Sequence, residues 1–472
     1  MDRIKTDLCI IGAGSGGLSL AAGAAQMGAL VVLVEGGEMG GDCLNAGCVP
    51  SKALIAAAKA AQARREGADL GITPVEPQVD FGAVKDHVAR VIAAIAPMDS
   101  QARFEGFGVR VLRDWGRFTS PATLQAGPVE VTARRFVIAT GSTALVPPIP
   151  RLETVPYLTN ETLFASREKP SHLLVLGGGP IGLEMAQAHQ RLGCRVTVLE
   201  AARALSRDDP EAAALVLARL RAEGVEIVEQ SPVVEVQGRA GAISLLLADG
   251  RRFTGSHLLV AVGRKVAVER LDLPRAGVVF DRRGVTVDEN LRSSNRRIYA
   301  VGDAAGGLQF THLAGYQAGV VLRQVVLGLP ARASTRHIPW ATYTDPELAQ
   351  IGPTEAEARQ THGAALTVLR GDFAHNDRAQ AEGKAQGLIK VMVVKGRPIG
   401  VTIAGPQAGE LIGLWALAIA ARLKLSALAG AVLPYPTVSE ISKRAAGAYF
   451  SPKLFDSPMV KRIVGLVQRW LP

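Results

Sequence analysis

Cysteine is scarce in this sequence. Only Cys9, Cys43, Cys48 and Cys194 occur in 472 residues. That excludes a small secreted scaffold stapled by disulfides and favours a reducing, cytoplasmic setting. Long apolar runs are missing too. The longest apolar helix candidate, Leu411–Ala421, falls well short of the ~18 residues that would cross a bilayer. Met1 to Lys5 leads directly into the apolar stretch Leu8–Ile11, without the extended apolar core and small-residue cleavage site of a signal peptide. There is no run of five or six basic residues, so the net charge of +10 reads as a solvated surface and not as a nucleic-acid footprint. Histidine is absent after His375. What remains is a chain with 48% hydrophobic and 20% charged residues, long enough for two or three domains and built like a globular enzyme.

Glycine, by contrast, is abundant and clustered. The apolar Leu8–Ile11 runs into Gly12-Ala13-Gly14-Ser15-Gly16-Gly17, then an alanine-rich helix pattern, then a second strand, Leu30–Val34, that ends at Glu35. Glycines at 12, 14 and 17 permit a tight turn that brings backbone N–H groups against a pyrophosphate at a helix N-terminus. Glu35 then stands where a carboxylate accepts hydrogen bonds from ribose hydroxyls. The device returns after Leu173–Leu176 with Gly177, Gly179 and Gly182, followed by Arg195–Leu199 and Glu200. In both copies the acidic residue follows the first glycine by 23 positions. One such motif is weak; two matched copies imply two dinucleotide sites. Both units also close alike, Phe136–Ala139 into Thr140-Gly141-Ser142 and Leu258–Ala261 into Val262-Gly263-Arg264.

These patterns predict an α/β fold with two Rossmann-like dinucleotide-binding domains, the second inserted within the first. The first domain takes residues 1–150 and 272–335 and the second 151–271. Residues 336–472 form a C-terminal α+β domain suited to dimerisation, with strands at Leu388–Val394 and Ile399–Ile403 and a helix at Glu410–Leu423. The segment Ile298–Asp303 reads as a strand delivering an aspartate to a ribityl or phosphate position.

Cys43 and Cys48 stand five apart in Gly40-Gly41-Asp42-Cys43-Leu44-Asn45-Ala46-Gly47-Cys48-Val49-Pro50-Ser51-Lys52, too isolated for a four-ligand zinc site, and no metal centre is expected. A helix is predicted from Ser51 to about Arg65, so Cys48 lies near its positive end, which favours the thiolate. Two thiols at this spacing can open and close a small-loop disulfide.

This cysteine motif between two dinucleotide fingerprints resembles the flavoprotein pyridine nucleotide–disulfide oxidoreductases, the family of dihydrolipoamide dehydrogenase, glutathione reductase and mercuric reductase. The resemblance spans essentially the whole chain. It implies FAD on the first unit, NAD(P)H on the second, a homodimer, and an active site completed by the partner subunit. It also implies hydride passing from NAD(P)H via FAD to a Cys43–Cys48 disulfide and on to a disulfide or related acceptor, small molecule or protein. By the same resemblance Gly12, Gly14, Gly17, Glu35, Gly41, Asp42, Gly116, Thr140, Gly141, Asp303 and Thr311 hold FAD. Gly177, Gly179, Gly182, Glu200 and Gly263 hold the nicotinamide nucleotide. Cys48 is the thiolate against the flavin, Cys43 the interchange thiol, and Lys52 the flavin-facing lysine paired with Glu184. Glu200 suits the free 2′-hydroxyl of NAD(H), while Arg203 nearby could admit the 2′-phosphate of NADP(H).

The chain departs from its relatives at one telling place. Where dihydrolipoamide dehydrogenases and glutathione reductases carry His-Pro…Glu, this sequence has Tyr435-Pro436 followed by Glu440. A phenol near pKa ~10 is a poor base at neutral pH, so dithiol oxidation is expected to be slow while reduction of an acceptor needs no such base. Tyr435 resembles mercuric reductase, which makes a soft-metal reductase the alternative. That enzyme's C-terminal cysteine pair and N-terminal metal-binding module are not matched here.

Among the remaining residues, Cys9 and Cys194 are expected in the core, and Trp340, Tyr343 and Trp415 as core or interface packing. His312 and Arg378 are expected in loop-like segments that could approach the flavin or the interface, with His312 read as an ordinary polar contact and not a catalytic base. Met459–Leu471 places Val460, Ile463, Val464, Val467 and Trp470 near one helical face, with Lys461, Arg462 and Arg469 elsewhere. Docking on the protein's own surface is the expectation; peripheral contact with an anionic membrane, or with a membrane quinone or protein partner, is the alternative.

Overall fold

The computed structural model describes residues 2–471. Strand β1 is Asp2–Ile11, β2 Val31–Val34, β3 Arg110–Leu112, β4 Gly116–Ser120, β5 Thr123–Ala126 and β6 Val129–Ile138. They form one sheet in the order β3-β2-β1-β6-β5-β4, and Ile298–Ala300 lies parallel beside the far half of β6. Parallel pairing aligns Cys9 with Val32 on one side and Phe136 on the other. Strands flanked on both sides and covered on both faces need continuous apolar residues, which explains the fully buried Leu8–Ile11. β1 begins six residues earlier than its apolar stretch, since the exposed Asp2–Asp7 segment still finds partners along β6.

Helix α1, Ser15–Gln26, starts inside the first glycine turn and buries Leu18, Leu20, Ala21 and Ala24 against the sheet and the helix Thr311–Val325. The chain then leaves this sheet at Ser142–Ala144 and returns antiparallel to it at Arg264–Val266. Between them lies the inserted unit: four parallel strands in the order Glu226–Val228, Arg195–Leu199, His172–Leu176, His257–Val260, with an antiparallel ribbon of three strands at its side. The two nucleotide-type units and the insertion are therefore as expected.

The C-terminal unit is a five-stranded antiparallel sheet covered by the helix Ala408–Ala420. Trp415 on that helix is fully buried and donates its indole N–H to Ser442 at 3.0 Å. The helix stops at Ala420, short of the expected Leu423, because Arg422 takes a left-handed backbone, φ +53°. Ion pairs clamp the inserted unit to this sheet. Arg191, held by Glu223 of its own unit at 2.6 Å, reaches Asp345 at 3.1 Å, and Lys390 reaches Asp209 at 2.8 Å.

The helix Pro458–Trp470 corrects one expectation: it buries none of its residues and is not docked on the protein's own surface. Among the described residues no helix is long and apolar enough to cross a membrane.

Candidate active site

The first glycine turn is a cradle that only glycine permits. A Cβ on Gly12, itself at φ +106°, would stand 2.4 Å from the Ala139 carbonyl oxygen, and one on Gly17 would stand 1.9 Å from that of Gly12. Gly14 precedes α1 with open space where its side chain would be, and no side chain caps the helix N-terminus. Glu35 at the end of β2 accepts from the Ala13 N–H at 2.5 Å and from the Gly37 N–H at 2.6 Å. The second turn repeats this geometry. A Cβ on Gly177 would meet the Ala261 carbonyl at 2.4 Å, and one on Gly182 the Gly177 carbonyl at 2.0 Å. Glu200 accepts from the Gly178 and Ala202 N–H groups at 2.7 and 2.8 Å, Gly179 caps its helix without a side chain, and Gly263 closes the unit at φ +141°.

The cysteines sit on two helices that meet beside the first cradle. Helix α2 is Gly41–Asn45 and α3 is Cys48–Arg65. A Cβ on Gly41 would lie 2.8 Å from Gly14 Cα, so the cysteine segment rests against the glycine turn. Helix α3 starts three residues before the expected Ser51, which puts Cys48 inside its first turn; Pro50 is tolerated there because first-turn N–H groups have no intrahelical acceptor.

Cys43 and Cys48 are free thiols placed side by side. Their surroundings differ. The Cys43 thiol beside it, the Thr311 hydroxyl at 3.2 Å and the Lys52 charge bring Cys48 down to about 6. The hydrogen bond to Cys48 and burial push Cys43 up. Cys48 is thus the more acidic sulfur of the two and Cys43 the less acidic. Cys9 and Cys194 are buried in the cores, where loss of water raises their thiols and leaves them inert.

Lys52, one turn along α3 from Cys48, donates to Glu184 Oε2 at 2.8 Å. Glu184 is nearly buried on the helix Pro180–Arg191 of the inserted unit, and its other oxygen accepts from the Tyr343 N–H at 2.9 Å. Tyr343 packs partly buried against the core as expected, and also reaches this site. Its ring packs under the Lys52 ammonium, 4.3 Å from the centroid, and so belongs to this site. Trp415 is core, whereas Trp340 stacks on Phe310 and donates to Asp208. His312 bonds the Pro339 carbonyl, an ordinary polar contact, and Arg378 pairs with Glu382; both lie in helices, Thr311–Val325 and Asp377–Ala381, and not in the loops expected.

A second chain of contacts was not visible in the sequence. Asp42, next to Cys43, takes Arg264 at 2.9 Å on one oxygen and the Asn160 amide at 2.9 Å on the other. Burial pushes its carboxyl up against the pull of Arg264. Arg264 also donates to Ser142 Oγ at 2.7 Å, and Ser142 donates to Asp303 at 2.5 Å. Thr140, beside Gly141, has a buried hydroxyl oxygen with no partner. Gly116 lies in β4 with Leu124 and Ile11 in the space of its missing side chain. The residues fit FAD: the Gly12–Gly17 cradle excludes side chains where phosphate oxygens must approach backbone N–H groups, and the orphaned Thr140 hydroxyl lacks a hydrogen-bond partner. The second cradle fits a dinucleotide by the same test.

Tyr435 and Glu440 lie apart from these groups, on the C-terminal unit. Tyr435 is exposed and donates its hydroxyl to Asp377 at 2.8 Å; that carboxylate raises the phenol further above its ordinary value. Glu440 opens the helix Glu440–Ala448 and keeps one buried carboxylate oxygen without a partner.

Comparison with known proteins agrees with this geometry. Residues 6–318 match the family model described as pyridine nucleotide-disulphide oxidoreductase, and residues 338–446 match the dimerisation domain of the same family. The mercuric reductase of Streptomyces lividans is 35% identical over 460 residues, covering 94% of this chain and 96% of that protein. The dihydrolipoyl dehydrogenase of Geobacillus stearothermophilus is 32% identical over 455 residues, with 94% and 96% covered. Among solved structures, the HOCl-induced flavoprotein disulfide reductase RclA of Escherichia coli superposes with a TM-score of 0.83 at 28% identity, covering 93% of this chain and 99% of that one.

Proposed function

This chain belongs to the pyridine nucleotide-disulphide oxidoreductases, and from that premise we propose that it works as a reductase whose acceptor meets Cys43. It is a flavin-dependent enzyme acting on disulfides, with FAD and NAD(P)H as its cofactors. FAD, when bound, supplies the two-electron relay between nicotinamide and disulfide. We assign Gly12, Gly14, Gly17, Glu35, Gly41, Asp42, Thr140, Gly141, Asp303 and Thr311 to its site, with Gly116 behind them in the sheet. Gly177, Gly179, Gly182, Glu200 and Gly263 are assigned to the nicotinamide nucleotide. Glu200 favours NAD(H), since a carboxylate repels a 2′-phosphate. In domain terms, residues 1–150 and 272–335 serve FAD, 151–271 the nicotinamide nucleotide, and 336–472 the subunit interface.

The chemistry at sulfur then belongs to this chain's own residues. The reduced pair presents a Cys43 thiol and a Cys48 thiolate, and the Cys48 thiolate is the group beside Cys43 that can take its proton. The Cys43 thiolate attacks one sulfur of a disulfide acceptor and releases the other as a thiolate. Cys48, having passed its proton to that leaving group, attacks Cys43, expels the second acceptor thiolate and restores the Cys43–Cys48 bond. Two electrons leave the pair and two acceptor thiols form once the second thiolate takes a proton from solvent.

The observation that carries the direction of this reaction is the Tyr435–Asp377 hydrogen bond. By family resemblance we infer that, in a homodimer, Tyr435 and Glu440 of one subunit face the cysteines of the other. A phenol that is kept neutral by a carboxylate cannot accept a proton from a dithiol substrate. Exposed Leu417 and Val432 on the C-terminal unit, with the unpartnered Glu440 oxygen, support a second subunit there. Steady-state assays with lipoamide, dihydrolipoamide and glutathione disulfide test the proposal. Disulfide reduction should outrun dihydrolipoamide oxidation by at least about tenfold at neutral pH; the reverse order would refute it.

One observation favours a second reading. Two thiols without an imidazole suit Hg(II), because a thiophilic metal displaces thiol protons itself. Among the described residues no cluster of three or more His, Cys, Asp or Glu could hold a metal ion, so Hg(II) would meet Cys43 and Cys48 alone. NADH-dependent Hg(II) reduction in the same assay separates the two readings. A count of only four cysteines suits a cytoplasmic setting.

A further inference from the structure

We propose that the helix Pro458–Trp470 docks this protein peripherally on an anionic phospholipid surface. Projected along its axis, the helix gathers Met459, Val460, Ile463, Val464, Leu466, Val467 and Trp470 on one face, and Lys461, Arg462, Gln468 and Arg469 on the other. The segregation is complete, and there is no aspartate or glutamate between Pro458 and Trp470. In most surface helices such an apolar face is covered by the protein's own core. Here it is bare: Met459 is 70% exposed, Leu466 56% and Trp470 80%. The short helix before it continues the patch with exposed Leu454 and Phe455 and adds Lys453.

Charge chooses the occupant. Three cations on the polar face, with none of the acids that would balance them, complement a surface rich in phosphate groups. A tryptophan at the helix end matches the amphipathic side chains that settle at the level of lipid headgroups. The length agrees with lying on a bilayer and not crossing it, since 13 residues rise only about 20 Å against an apolar thickness of about 30 Å. This inference stands apart from the redox proposal and does not depend on it.

Flotation of the full-length, FAD-loaded protein tests it, with vesicles of phosphatidylcholine alone and with about one quarter phosphatidylglycerol. The protein should float with the anionic vesicles and at least about tenfold less with the neutral ones. Raising salt to about 0.5 M should release it. The triple variant Lys461→Glu, Arg462→Glu, Arg469→Glu should lose about a hundredfold in affinity. Leu466→Asp with Trp470→Asp should abolish flotation while leaving flavin content and NADH-dependent turnover intact, because no residue of this helix is buried in the fold. Equal flotation with both vesicle types, or unchanged flotation of both variants, would overturn the proposal. So would a fall in mass from two copies to one in the Leu466→Asp, Trp470→Asp variant without vesicle binding by the parent, which would make this face a contact between copies.

Discussion

The Tyr435 hydroxyl donates to Asp377 Oδ2 at 2.8 Å on the C-terminal unit. A phenol next to a carboxylate is held protonated. The Tyr435→His variant replaces it with an imidazole matched to neutral pH, and general-base catalysis contributes about 10²–10⁴-fold where the base is well placed. Dihydrolipoamide oxidation by this variant should rise at least tenfold in steady-state assays near pH 7.5. No increase would mean that the position does not govern proton removal.

The asymmetry between the two thiols has a pH signature. With Cys48 at about 6, its thiolate persists above that pH and is lost as the pH falls through it. The long-wavelength absorbance of the two-electron-reduced, FAD-loaded protein should follow this titration. Thr311→Val removes the hydroxyl at 3.2 Å and should move the midpoint up by about one pH unit, the worth of one hydrogen bond to a charged group. A midpoint unchanged in Thr311→Val would separate that hydroxyl from the thiolate.

Glu200 holds the second glycine turn through two backbone N–H groups, so truncating it would confuse binding with folding. Glu200→Gln keeps an acceptor and removes the charge. The kcat/KM ratio of NADPH to NADH should rise about tenfold, equivalent to about 1.4 kcal/mol. A ratio unchanged by the substitution would place nucleotide choice elsewhere.

Arg191 is buried between Glu223 and Asp345, joining the inserted unit to the C-terminal sheet. Arg191→Met leaves Glu223 buried with one partner fewer. Chemical denaturation should show a loss of about 3 kcal/mol, as expected for removing one member of a buried ionic network. A loss below about 1 kcal/mol would show that Arg219 and Gln187, which also contact Glu223, suffice.

The repeat was legible because its cause is local. Gly12, Gly14, Gly17 and Glu35 occupy 24 consecutive positions, and so do their counterparts from Gly177 to Glu200. The Lys52–Glu184 pair was reached only through family resemblance, since 132 positions separate the two residues. Thr311 beside Cys48 and Arg264 on Asp42 have no local signal at all; folding of the inserted unit and return of the chain to the first sheet bring them together. The polar half of β1 was missed because its strand character comes from pairing with β6 and not from its own side chains. Amphipathicity in Pro458–Trp470 was plain in the sequence, but a periodic apolar face does not say what covers it.

Anaerobic addition of one equivalent of NADH to the FAD-loaded protein, followed by thiol alkylation and mass spectrometry, tests the role of the sulfur pair most directly. Two new alkylation sites should emerge, at Cys43 and Cys48 alone, with the flavin still oxidised and a long-wavelength band that Cys48→Ser abolishes. If the first equivalent instead bleaches the flavin and leaves both cysteines unlabelled, electrons do not reach that pair and the account fails.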